Sequence, residues 1–166
     1  MAEHRIALDW SRDGGPFERG NYAKNHVVHF DGGQTLRNSS APGDYGGDVS
    51  ASNPEELLLS ALSSCHMLTF LAVAANRGYV IDSYHDDAVA ELGKNADGKM
   101  AVVKATLAPK VTFSGDKRPN ADEYAALQAR AHAACFIASG LEISITRSPL
   151  ANQAAGTSLP TMVSTG

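Results

Sequence analysis

The sequence predicts an α+β domain in which antiparallel sheet packs on two main helices. Three observations lead there. Short strand-like runs separated by turn residues fill the first 52 positions, a long capped apolar segment follows, and two further strand-like stretches joined by Asp97-Gly98 precede a second helical segment. At 166 residues the chain fits one domain, 1–166, with enough material for a single core and no need of disulfide staples.

The elements follow in order. His4 to Ser11 reads as a first strand, closed by the turn Arg12-Asp13-Gly14-Gly15-Pro16. His26 to Phe30 reads as a second strand, and Asp31-Gly32-Gly33 turns it into Gln34 to Arg37. Residues 38–52 are rich in Ser, Gly, Asp and Pro and read as a long loop without a packing pattern, a kind of segment that often carries function. Asn53 then caps a helix, with Pro54 at its first position and Glu56 completing a capping box. That helix runs to about Arg77, where Gly78 stops it, so some 24 residues make a rod of ~36 Å.

Leu57, Leu58, Leu59, Leu62, Met67, Leu68, Phe70, Leu71 and Val73 are spread around most of the helix and leave it no broad polar side. One small domain would struggle to cover such a helix, which predicts that a second copy of the chain covers part of it, as a homodimer. Tyr79 to Glu91 and Met100 to Phe113 read as the arms of a hairpin, with imperfect alternation that allows a bulge. A second helix is expected from Asn120 to about Ala138 and a last strand from Leu141 to Arg147, while residues 148–166 form an Ala-, Ser- and Thr-rich tail to which no structure is assigned.

Composition narrows the function. The net charge of -4 and the absence of a basic run argue against nucleic acid. The N-terminus has no apolar signal-peptide stretch, and Ser, His and Thr interrupt the longest apolar run, so no membrane association and a cytoplasmic address are expected. In that reducing compartment, Cys65 and Cys135 read as redox-active, metal-binding or plain core residues rather than a permanent disulfide. Each is expected within a helix and has small neighbours, Ala61, Ser63 and Ser64 for one and Ala133, Ala134 and Ala138 for the other. Such neighbours let two helices approach closely, and a disulfide needs Cα atoms within about 7 Å. Spacing alone still favours core cysteines.

The segment Asn53-Pro54-Glu55-Glu56-Leu57, with Cys65 ten positions after Glu55, resembles the block that opens the central helix of the OsmC/Ohr family, osmotically inducible and organic hydroperoxide resistance proteins. Ala131-His132-Ala133-Ala134-Cys135 is similar to the place of that family's second cysteine. Gly78-Tyr79 and the hairpin fit the same plan, so the likeness spans about 53–147. Phe136 stands where the family often has proline, and His66 is not general to it.

The resemblance implies an intertwined homodimer that reduces organic hydroperoxides. Cys65 would attack the peroxide, and Cys135 would resolve the sulfenic acid as a disulfide. It implies no cofactor or metal, and a dithiol reductant of which a lipoylated protein is one. Glu55 carries over as the residue that holds an activating arginine. Arg37 is the first choice for that arginine, with Arg12 and Arg19 behind it.

Glu55 and Cys65 lie ten residues, or ~15 Å, apart on one helix, so a shared site requires Glu55 to serve the partner subunit's thiol. His66 and His132 suggest another class, a metal- or ligand-binding protein using both histidines and both cysteines, although adjacent residues on a helix point ~100° apart. A redox sensor is the third reading.

Overall fold

The computed structural model describes residues 3–139. The opening is β, as expected: β1 (Ile6–Asp9), β4 (His26–Phe30) and β5 (Thr35–Asn38) form an antiparallel sheet in the order β1-β4-β5. Between β1 and β4 lies a small ribbon, β2 (Phe17–Glu18) with β3 (Asn21–Tyr22), turned by Gly20 at φ 80°. Strands of two residues leave no periodicity to read, so they are invisible to pattern alone.

Residues 38–52 are better packed than their composition suggests. Ser39 is fully buried, its amide bonds Ser52 O at 2.9 Å, and a single turn of 3-10 helix forms at Gly43–Tyr45. Gly47 passes so close to the backbone of Ser40 that a Cβ there would meet Ser40 O at 1.6 Å. Only glycine fits at that crossing.

The central helix α1 spans Pro54–Asn76, with Asn53 Oδ1 accepting from Glu56 N and Glu56 returning the bond to the Asn53 amide. The capping box satisfies two amides that the helix itself cannot. Gly78 follows at φ 75°, the left-handed conformation for which glycine is suited. By length and composition α1 is apolar enough to cross a membrane, because its leucines and alanines outweigh the interrupting Ser, His and Thr. In the fold it packs on α2 and on the strands that follow it.

Those strands are one long bent hairpin. β6 (Val80–Asp86) pairs with β9 (Pro109–Ser114), and β7 (Val89–Lys94) with β8 (Met100–Thr106). The register shifts near Ile81 and again between Glu91 and Leu92, where Val103 is the extra residue, so the predicted bulge is present. At the bend Asp86 accepts from the Ala108 amide at 2.7 Å and from the Ser63 hydroxyl, which ties the hairpin to α1.

Helix α2 spans Ala121–Ala134, opened by a second capping box between Asn120 and Glu123. Phe70 and Ala74 of α1 meet Leu127 and Ala131 of α2, all fully buried, with Tyr79 beside them. Burial of Phe70 contributes about 3 kcal/mol on area grounds. The rest of α1 is poorly covered within one chain: only His66, Phe70 and Ala74 are buried, and Leu58 and Leu68 are half exposed or more. The expected last strand, 141–147, and the tail from 148 lie outside the described residues.

Candidate active site

The two cysteines meet where α1 crosses the end of α2. Thr69, one turn after Cys65, donates its hydroxyl to the Cys65 carbonyl at 2.8 Å. Cys135 is fully buried, and both cysteines are free thiols. The sequence placed Cys135 inside the second helix. The helix instead ends at Ala134, and Cys135 is its C-cap with extended backbone, φ -75° and ψ 117°. A new turn then starts, in which Ser139 N donates to Cys135 O at 3.1 Å.

That early ending has a chemical consequence. Once the helical ladder stops, the amides of Phe136 and Ile137 are released from helical bonding and turn toward Cys65. A hydrogen bond from the Cys135 thiol, the largest effect, and then the Ile137 and Phe136 amides hold the Cys65 thiol below its ordinary value. Burial and the neighbouring Cys65 push Cys135 the other way. One thiol is therefore favoured as the thiolate and the other as its proton-bearing donor.

Helix position alone left Cys65 in need of a cation. Backbone donors meet part of that need. They carry no residue signature, which is why sequence reasoning missed them; the only clue is Phe136 in place of proline, since proline would have no N–H to offer.

The structure does not bring Arg37 to Glu55 within the chain. Arg37 is held by Asp48 at 3.0 Å and by the Ser50 carbonyl and hydroxyl at 3.0 and 2.7 Å, which braces the loop before α1. Arg12 bonds Gly15 O in its own turn. Arg19, at the β2–β3 turn, makes no hydrogen bond or ion pair among the described residues. Glu55 is half-buried and its Oε2 is sealed from solvent without a hydrogen-bond partner. A buried carboxylate oxygen in that state calls for a donor.

The histidines do not join the thiols. His66 is buried, with Nε2 bonded to Gln128 Oε1 at 2.7 Å, and His132 is exposed on the last turn of α2. Among the described residues no group of three or more His, Cys, Asp or Glu could hold a metal ion. The four-ligand site considered from the sequence is not formed.

An α+β domain with a capped central helix and a facing thiol pair defines the class, and its likeness to known proteins gives the family. The OsmC-like protein family matches residues 46–147. The structure of an OsmC-like protein of unknown function from Vibrio cholerae is 39% identical, with a TM-score of 0.80 over 86% of this chain and 95% of that one. An organic hydroperoxide resistance protein, OsmC, from Legionella pneumophila shares the fold at 20% identity and a TM-score of 0.59, covering 84% and 88%. OhrB, the organic hydroperoxide resistance protein of Bacillus subtilis, does so at 17% identity and 0.56, covering 83% and 89%. No curated protein sequence matches. The chain belongs to the OsmC-like family.

Proposed function

We propose that this protein is a thiol peroxidase that reduces organic hydroperoxides, working as a homodimer in the cytoplasm. The observation that carries the reading is the facing pair Cys65 and Cys135 with opposite shifts in acidity. Family membership supports peroxide-related redox chemistry, since relatives of the same fold are named for organic hydroperoxide resistance.

In the first step the Cys65 thiolate attacks the terminal oxygen of the hydroperoxide. The S–O bond forms as the O–O bond breaks, sulfur is oxidised to the sulfenic acid, and the leaving alkoxide takes a proton to become the alcohol. In the second step Cys135 sulfur attacks the sulfenic sulfur. The disulfide forms, and the departing hydroxide leaves as water with the Cys135 proton. An external dithiol, of which a lipoylated protein is one, then reduces the disulfide by exchange.

Glu55 acts across the dimer. Its buried oxygen receives a guanidinium next to the partner subunit's thiol, and of the three arginines weighed Arg19 is the one left to supply it, since Arg37 is committed to Asp48 and Ser50 and Arg12 to Gly15 O. Arg37 then acts by holding the loop that leads into α1.

Mass spectrometry tests the reading. One equivalent of cumene hydroperoxide should convert the reduced chain to a species about two mass units lighter, joined Cys65 to Cys135, that a dithiol returns to the start. An unchanged mass would reject it, and oxidation without repeated turnover would leave a redox sensor.

The thiol pair also predicts a pH profile. Alkylation of Cys65 by iodoacetamide should have its midpoint below the ordinary thiol value of 9.0, because a lowered pKa places more thiolate at neutral pH. In Cys135→Ala the largest stabilising donor is gone, so the midpoint should rise toward 9.0 while the two amides keep it from returning fully. A midpoint that stays put or falls would remove Cys135 from that role.

A further inference from the structure

The peroxide chemistry uses neither His66 nor Gln128, although both are fixed where α1 crosses α2. His66 is 6% exposed, and its imidazole makes one hydrogen bond, between Nε2 and Gln128 Oε1 at 2.7 Å. The direction of that bond follows from the next two. Gln128 Nε2 donates to the Tyr124 hydroxyl at 2.8 Å, and that hydroxyl donates to Pro109 O at 3.3 Å. The Gln128 amide therefore presents its carbonyl to His66, and the ring is the donor. His66 Nδ1 is sealed from solvent without a partner, so no second bond draws the ring elsewhere. Among the described residues this is the only side-chain hydrogen bond between the two helices.

The apolar packing around the bond leaves the register of the helices weakly specified. Phe70 meets Tyr124 edge-on, with ring centroids 6.0 Å apart. One turn back along α1 and one turn forward along α2, His66 meets Gln128. Beyond them the Cys135 thiol donates to Cys65. The contacts run in opposite chain directions, so the seam is antiparallel. Half the residues of α2 are alanine, and contacts among such small, similar side chains change little when one helix slides by a turn of ~5.4 Å. A hydrogen bond is lost on such a slide, and a single buried polar group is a known means of fixing register between packed helices. The thiols make the same demand, since a disulfide needs Cα atoms within about 7 Å. Cys135 follows Gln128 by seven residues, about two helical turns, so what holds Gln128 also sets Cys135.

We propose that His66 and Gln128 are positioning residues, whose hydrogen bond locks the register of α2 on α1 and thereby holds Cys135 within bonding reach of Cys65. The proposal rests on the peroxidase reading for its purpose, the closing of the disulfide, but the register itself is tested without peroxide. His66 is the feature that the family resemblance left without a role.

Equilibration of the reduced protein with glutathione and glutathione disulfide makes the test. Closing the Cys65–Cys135 bond oxidises the two thiols by two electrons, and glutathione disulfide takes these with the two protons to become two glutathione thiols. A pair held in register has a high effective concentration, which favours closure. His66→Leu and Gln128→Leu should lower the equilibrium constant for closure by about tenfold, which raises the reduction potential by ~30 mV. His66→Gln, whose Nε2 can replace the ring donor, should match the wild type. The double variant His66→Leu with Gln128→Leu leaves neither partner buried and unpaired, and Tyr124 keeps its bond to Pro109 O. It should therefore unfold near the wild-type temperature, yet close its disulfide as poorly as the single variants, and it decides the matter if a lone buried partner costs either single variant its fold. Closure as favourable in the double variant as in the wild type overturns the proposal, and so does His66→Gln falling as far as His66→Leu. A failed peroxidase reading shows instead as an unchanged mass with cumene hydroperoxide and leaves these equilibria as they are.

Discussion

A Cys65→Ser variant is expected to lose hydroperoxide turnover by roughly 10⁴-fold or more, since a serine hydroxyl in the same place is neither ionised at neutral pH nor able to accept oxygen as sulfur does. A coupled assay with cumene hydroperoxide and a dithiol measures it. The companion variant separates the two thiols. Cys135→Ala should still consume one equivalent of peroxide, because the attacking sulfur remains, and should then stop as a sulfenic acid that dimedone labels at Cys65. If Cys135→Ala lost the first equivalent while Cys65→Ser kept it, the assigned roles would be reversed. Comparable turnover in both variants would remove the thiols from the chemistry altogether.

Much of the fold is legible in the sequence. The capping box at Asn53, the stop at Gly78 and the turn at Asp97-Gly98 are local devices, written in adjacent residues and needing nothing from the rest of the chain. The second helix was harder. Phe136, Ile137 and Ala138 continue an apolar pattern up to Gly140, so the sequence extends the helix past its real end at Ala134. It ends at the extended backbone of the buried Cys135, which no local residue pattern announces.

The site was legible in its thiols and illegible in what surrounds them. Backbone amides leave no pattern, and His66 and Gln128 lie 62 positions apart, beyond any local rule. In the sequence Arg37 stands next to a long loop. The loop proves to be packed, and Asp48 within it claims the guanidinium. Proximity in sequence to the central helix does not reveal this contact, because an arginine's partner is found in space.

The second large effect concerns Glu55. Glu55→Ala should lower kcat/KM by about 100-fold, the scale expected when a catalytic group loses its positioning partner. That loss alone does not say which subunit's thiol Glu55 serves. Geometry narrows it: Glu55 and Cys65 share α1, ten residues apart, and a rigid helix keeps them ~15 Å from each other whatever the side chains do, so a thiol served by Glu55 would be the partner subunit's. Co-expressing Cys65→Ser and Glu55→Ala subunits therefore gives a clear test. In a mixed dimer, the intact Cys65 of one subunit faces the intact Glu55 of the other, so one of its two sites is whole. With random pairing, about a quarter of wild-type activity should return from two nearly inactive parents. Purifying the mixed dimer by two different tags should raise this to about half. If the mixed dimer stays as inactive as its parents, Glu55 does not act across the interface. A mixture that yields only monomers would remove the dimer as well, and with it the explanation for a central helix buried at only three of its 23 positions.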